Sequence, residues 1–219
     1  MLLHKELKSI EDIIGDNHLS SSTETPLRKD AFKISDRDKI KIIEENVANI
    51  LFTLGMDMTD DSLKGTPKRV AKMYINEIFS GLNPKNKPHA STFENKYKYG
   101  EVLVEKNITL FSTCEHHLLP IVGKAHIGYI SNGNVIGLSK INRIVQYFAQ
   151  RPQVQERLTQ QILVALQTLL ETDDVAVTIE ATHYCVKSRG VMDTNSSTQT
   201  TALGGQFKED HRTRAEFLR

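Results

Sequence analysis

Apolar residues recur at helical spacing in the first part of the chain and at strand spacing in its middle, and that switch sets the expected architecture. Leu2, Leu3, Leu7, Ile10, Ile13 and Ile14 share one side of a helical wheel before Gly15, which predicts a short amphipathic helix. The Ser/Thr-rich stretch NHLSSSTETPLRKD then reads as a polar linker, so residues 1–34 are expected to form a flexible extension. From Ser35 the pattern sharpens. Ser35 can cap a helix with Asp38, and Ile40, Ile43, Val47, Ile50, Leu51 and Leu54 follow at helical spacing before Gly55. A second helix is expected from Thr66 as cap, with Pro67 in its first turn, Val70, Met73, Tyr74 and Ile78 on one face, and Gly81 at its end.

After the loop NPKNKPHAST the period changes to two. EVLVEKNITLF places Val102, Val104, Ile108 and Leu110 on one face, and IVGKAHIGYI alternates Ile121, Ala125, Ile127 and Tyr129. Asn132-Gly133 predicts a hairpin turn into the short strand VIGL. Two helices broken at Pro152 come next, the first carrying Ile141, Ile144, Val145 and Phe148, the second Val154, Leu158, Ile162, Ala165, Leu166 and Leu169. VAVTIEATHYC closes the pattern as a last strand. Strands, a helical pair and a returning strand make an α+β domain whose antiparallel sheet is covered on one face by helices. The expected organisation is an extension over 1–34, a helical part over 35–98 and a catalytic body over 99–219.

Charge narrows the function classes. The 219 residues carry 28 Lys+Arg against 27 Asp+Glu, so the broad field of a nucleic-acid or membrane-surface binder is missing and any anion site must be local. No apolar run approaches the ~18 residues of a membrane span, and the N-terminus mixes charges into its apolar positions, unlike a signal peptide. A cytoplasmic protein is expected. In that reducing setting its two cysteines are better read as core residues, metal ligands or a nucleophile than as a disulfide.

Both cysteines stand next to histidines. In FSTCEHHLLP, Cys114 and His117 have the C-x-x-H spacing that lets a turn present both side chains to one metal. Period two along the last strand puts His183 and Cys185 on one face, about 6.6 Å apart. Two thiolates and one imidazole, with a position left for water, form the ligand set of a catalytic zinc, which lowers the pKa of water to about 7. Spacing leaves open whether His116 or His117 is the ligand, and it does not exclude His183. A histidine outside the ligand set is suited to proton transfer near neutral pH. Ser139, Lys140 and Arg143 open a helix, Lys187 and Arg189 follow Cys185, and these cations near a metal suggest a polyanionic substrate such as a phosphate ester. No G-x-x-x-x-G-K-[ST] loop occurs, so a nucleoside triphosphate would not be held as a P-loop enzyme holds it. Glu156 falls opposite the apolar stripe of its helix and gains a role only if a ligand or a second subunit covers it.

STCEHHLLP, GLSKINRIVQYFAQRPQVQER, HYCVKSRG and LGG, in that order, resemble GTP cyclohydrolase I, over roughly residues 36–219. The resemblance implies the tunnelling fold, with sheets from five subunits joined into a barrel and two rings stacked as a homodecamer whose sites lie between subunits. It implies Cys114, His117 and Cys185 as ligands of one Zn²⁺ per subunit, and His116 and His183 as the proton-transfer histidines. It implies Gln155 and Glu156 at the guanine edge, and Ser139, Lys140, Arg143, Lys187 and Arg189 at the ribose and triphosphate of GTP. The implied reaction opens the imidazole ring at C8, releases formate and closes a new ring to give 7,8-dihydroneopterin triphosphate, the first step toward tetrahydrofolate or tetrahydrobiopterin, in an enzyme open to allosteric control. Residues before 36 match no part of this pattern, and no motif names a regulatory protein partner. Two rivals stand beside it: an enzyme of the same fold acting on another purine or pterin, and a GTP-binding regulatory relative without turnover. A nucleic-acid-binding zinc module is disfavoured by 6% aromatic residues and the absence of Trp.

Overall fold

Ser35 starts the first helix as its sequence demands: its Oγ accepts from the Asp38 amide at 3.2 Å and donates to the Asp38 carboxylate at 2.6 Å. The computed structural model describes residues 22–219, so the helix expected over 2–14 lies outside the described residues. Helix α1 runs Asp36–Thr53 and packs on α2, Thr66–Met73. None of its residues is fully buried, and Ile42, Ile50 and Phe52 stay exposed. Thr66 is the first residue of α2 rather than its cap; Gly65 takes the cap position, and the Thr66 hydroxyl accepts from the Arg69 guanidinium at 2.9 Å instead of from a backbone amide. The helix then widens into a π turn at Tyr74–Ile78 and tightens into a 3₁₀ turn at Ser80–Leu82.

A five-stranded sheet forms the body: β2 (Leu103–Cys114), β3 (Pro120–Tyr129), β5 (Pro152–Gln153), β6 (Val175–His183) and β7 (Thr198–Leu203), in the order β5-β2-β3-β6-β7. The pairs are antiparallel except β2 with β5, which is parallel. Only the first half of VIGL forms a strand, β4 (Asn134–Ile136), and it pairs with β1 (Thr92–Glu94) and not with β3, so the expected hairpin is not made. Gly133, at φ +93°, supplies the turn and instead sends the chain toward β1.

A bulge in β2 corrects the expected face of its apolar residues. The register slips between Glu105 and Ile108, with Asn107 at φ +60°, so one extra residue turns the strand over. Val102 and Val104 therefore pack with Phe207 and Phe217 on one side, while Ile108 and Leu110 join the main core on the other.

That main core lies between the sheet and helices α3 (Leu138–Ala149) and α4 (Gln155–Leu170). Ile121, Ala125, Ile127 and Tyr129 all face it at 1% exposure or less, together with Ile141, Leu158 and Leu166. Each Ile or Leu buried this fully contributes about 2 kcal/mol. Gly81 lays the helical part against α3: its amide donates to Gln150 O at 3.0 Å, and a Cβ there would meet Tyr147 O at 2.0 Å. The opposite face is partly covered by two short C-terminal helices, α6 (Gly205–Glu209) and α7 (His211–Phe217). These helices and β7 were not expected from the sequence, whose last predicted strand is β6. The strand TQTTAL lacks an apolar stripe, and only pairing with β6, from Ala181↔Thr198 to Ala176↔Leu203, defines it. Among the described residues β7 pairs only with β6, and β2 before Thr113 only with β3, so neither long edge of the sheet carries a further strand.

Candidate metal centre and active site

The turn that leaves β2 is tied at three points. The Cys114 amide donates to Leu119 O at 2.8 Å, the Leu118 amide to Cys114 O at 2.9 Å, and the Glu115 amide to Gln153 O at 3.0 Å. Leu118 closes it at φ +52°. The result buries the Cys114 thiol and leaves His116 and His117 at the surface, with their Nδ1 atoms 3.8 and 3.9 Å from Cys114 Sγ.

Across the sheet, His183 is the last residue of β6 and pairs with Ile121 of β3. Period two does not carry on to Cys185 as expected. The chain coils at once into a helical turn, α5 (Tyr184–Lys187), and the coil swings Cys185 toward Cys114. One ligand atom each from Cys114, His117 and Cys185 then lie within 4.8 Å of one another. Zinc–sulfur and zinc–nitrogen bonds of 2.0–2.3 Å in a tetrahedron set donors about 3.7 Å apart, so the three fit one ion after small side-chain adjustment. The donor chemistry agrees. Burial pushes the Cys185 thiol up, and the neighbouring Cys114 thiol pushes it further, so a cation between them removes the strain of ionising both.

His183 is held by Gln155, the first residue of α4, whose Oε1 lies 2.7 Å from its Nε2. Burial holds the His183 imidazole below its ordinary pKa, and the charge of Glu156 works weakly against that. Glu156 is exposed on the first turn of α4. Arg189 reaches the cluster from beyond α5, with Nη1 2.9 Å from His117 Nε2. Lys187 ends α5 and is half-buried. Ser139, Lys140 and Arg143 occupy the first turns of α3, and their side chains make no hydrogen bond or ion pair with another described residue. The structure thus draws Cys114, His116, His117, Cys185 and Arg189 together, links His183 to Gln155, and leaves the α3 cations and Glu156 at the surface. Two clefts of about 880 and 860 Å³ lie elsewhere, one beside Asp173 and Asp174, the other between α3 and α4; neither takes in a Cys or His of the cluster.

A family model described as GTP cyclohydrolase I matches residues 43–219. The GTP cyclohydrolase 1 of Flavobacterium johnsoniae is 65% identical over 207 residues, covering 94% of this chain and 92% of that protein. The GTP cyclohydrolase 1 of Vibrio parahaemolyticus is 63% identical over 195 residues, 89% of each chain, and that of Aliivibrio fischeri 58% identical over 206 residues, 94% of each. The chain belongs to the GTP cyclohydrolase I family. Among solved structures, an archaeosine synthase QueF-like protein in its apo form aligns with a TM-score of 0.42 and 17% identity over 49% of this chain and 97% of that one.

The family match covers the whole sheet and both segments of the Cys-His-Cys group, and it begins inside α1. Arg157 shapes this site and gave no signal in the sequence, and Gln155 was expected there in a different role. Arg157, on α4, is 5% exposed and binds Glu115 of the CEHH turn; the two are 42 positions apart, and neither fits a local motif. The Gln155 side chain, expected at the substrate, is 1% exposed and bonded to β6 and β7. Only a partner strand that the sequence pattern hid could have pointed to it.

Proposed function

We propose that this protein is a zinc-dependent GTP cyclohydrolase I, taking GTP and water to formate and 7,8-dihydroneopterin triphosphate at the head of a tetrahydrofolate or tetrahydrobiopterin pathway. The observation that carries the proposal is the convergence of Cys114, His117 and Cys185, from two separate strand ends, within 4.8 Å in a chain of this family. Zinc held there supplies water that ionises near neutral pH.

The chain's own residues do the rest. Glu156 accepts bonds from the N–H and amino groups of the guanine edge, which selects guanine over adenine. Lys140, Arg143, Lys187 and Arg189, with Ser139, hold the triphosphate and ribose, and the N-terminus of α3 adds its free N–H groups toward the anion. His116 and His183 exchange protons with the purine ring and with the ribose as bonds break and re-form; the depressed pKa of His183 keeps it a base at neutral pH.

The monomer supports assembly as the setting for this site. Among the described residues neither sheet edge pairs with a further strand, the cluster lies outside the two clefts, and the α3 cations and Glu156 make no side-chain hydrogen bond or ion pair, contacts that a second subunit would supply. A homodecamer of two stacked pentamers, each closing its sheets into the barrel of the tunnelling fold, meets all three needs and offers a basis for allosteric control. In that arrangement residues 99–219 form the catalytic body, 35–98 the helical part and 1–34 the extension. No described helix is long and apolar enough to cross a membrane. Incubation of purified protein with GTP tests the proposal: formate and a dihydropterin triphosphate in equal amounts are expected, and a folded, metal-loaded protein that yields neither would move it to another substrate. Light scattering tests the assembly, which should hold ten chains of 24.7 kDa.

A further inference from the structure

Every polar atom of the Gln155 carboxamide is engaged. Its Nε2 lies 3.0 Å from Ile179 O, 2.9 Å from Thr198 O and 3.1 Å from Thr200 Oγ1, and its Oε1 lies 2.7 Å from His183 Nε2. Two backbone carbonyls can only accept, so the atom that faces them is the amide nitrogen; the end-for-end alternative would set oxygen against oxygen. The amide oxygen therefore faces His183, and a ring nitrogen 2.7 Å from it must carry the proton.

The hydroxyls around the amide agree. Thr159 Oγ1 donates its single proton to Gln155 O at 2.7 Å. In the 2.6 Å contact between Thr159 and Thr200 the proton must then come from Thr200, which leaves Thr200 only lone pairs to offer the Gln155 amide. Three elements, α4, β6 and β7, thus fix one direction for every bond in the chain that ends at His183.

We propose that Gln155 is a positioning residue for His183. Its buried carboxamide holds the neutral imidazole as the Nε2–H tautomer, which makes Nδ1 the nitrogen that takes and returns protons during turnover. The opposite tautomer would point a ring lone pair at the amide oxygen. This assignment rests on the cyclohydrolase reading, and it takes the Gln155 side chain away from the guanine edge, leaving Glu156 as the base-reading side chain.

The test compares full-length, zinc-loaded wild type with Gln155→Ala and Thr200→Val. It records kcat, KM for GTP, bound zinc and melting temperature, and ¹⁵N shifts of the His183 ring above neutral pH. Gln155→Ala should lower kcat about 10- to 100-fold, as loss of an orienting partner does, with bound zinc unchanged. KM should stay within about twofold, because no substrate contact is lost. Thr200→Val, which removes only the outer anchor, should move kcat in the same direction by less, and it carries the test if Gln155→Ala does not fold. A rise in KM with kcat preserved would overturn the proposal and return the side chain to the substrate. A wild-type His183 ring protonated on Nδ1 would overturn it whatever the activity. Wild type that forms no formate would sink the cyclohydrolase reading instead, and the ring shifts would still decide the role of Gln155.

Discussion

Arg157 grips both carboxylate oxygens of Glu115, with Nη1 2.5 Å from Oε2 and Nη2 3.2 Å from Oε1, from a side chain only 3% exposed. The third guanidinium position, Nε, donates to Ser22 O at 2.8 Å. Because Glu115 stands between Cys114 and His116, this clamp fixes the turn that carries the candidate metal ligands to the first turns of α4.

Arg157→Ala strands a carboxylate whose side chain is 20% exposed. Breaking a buried pair costs about 3–5 kcal/mol, and the residual exposure puts this one near the lower figure. Chemical denaturation should show a loss of about 3 kcal/mol, with weaker metal retention, because the turn loses its tether. Unchanged stability would mean that water replaces the guanidinium at no cost.

Cys185→Ser replaces a thiolate with a hydroxyl that zinc binds poorly. Metal content and formate release should fall together, the latter by more than about 100-fold, beyond the range of an outer-shell change. A variant that keeps one metal per chain would remove Cys185 from the ligand set.

Glu156 is exposed on α4, so its replacement leaves the core alone. Glu156→Ala should keep the melting temperature and reduce discrimination of GTP against ATP by more than about tenfold, the worth of two charge-assisted hydrogen bonds. Competition assays with the two nucleotides measure this directly, and equal discrimination in the variant would exclude the base-anchoring role.

His126, on β3, contributes to the pH dependence of stability. Burial, and then Lys106 and Lys124, hold it below its ordinary pKa, while Glu180 opposes them. Its folded-state pKa is therefore lower than its unfolded value of about 6.5, so its contribution is present above that value and is lost as pH falls through the folded-state pKa. Unfolding free energy should drop from pH 7.5 toward 5.5, and His126→Gln should flatten that slope. An identical slope in the variant would assign the effect to other groups.

Much of the architecture was legible because its signals are local. The Ser35 cap, the α3 and α4 stripes and the alternation of β3 all rest on residues within a few positions of one another. What failed depended on distant contacts. Asn107 looks like any polar strand residue, yet its bulge reverses the faces of Val104 and Ile108. β7 has no apolar stripe and exists through β6, and Cys185 leaves the strand that period two assigned to it. At the site, the thiol and imidazole spacing pointed to the turn at Cys114 and to the candidate Cys-His-Cys group that gathers there. The spacing did not separate His117 from His116: both rings lie within 3.9 Å of the Cys114 sulfur, and it is His117 whose ligand atom groups with Cys114 and Cys185. The side chains of Gln155 and Arg157 bond to residues 24 to 135 positions away and leave no trace in a local pattern.

The most direct measurement is formate release from GTP by the purified protein as isolated, after chelation, and after zinc is restored, with bound metal counted at each stage. Formate should appear, vanish as the metal is stripped and return as one zinc per chain is taken up. Full formate release from protein shown to hold no metal would contradict the account at its centre.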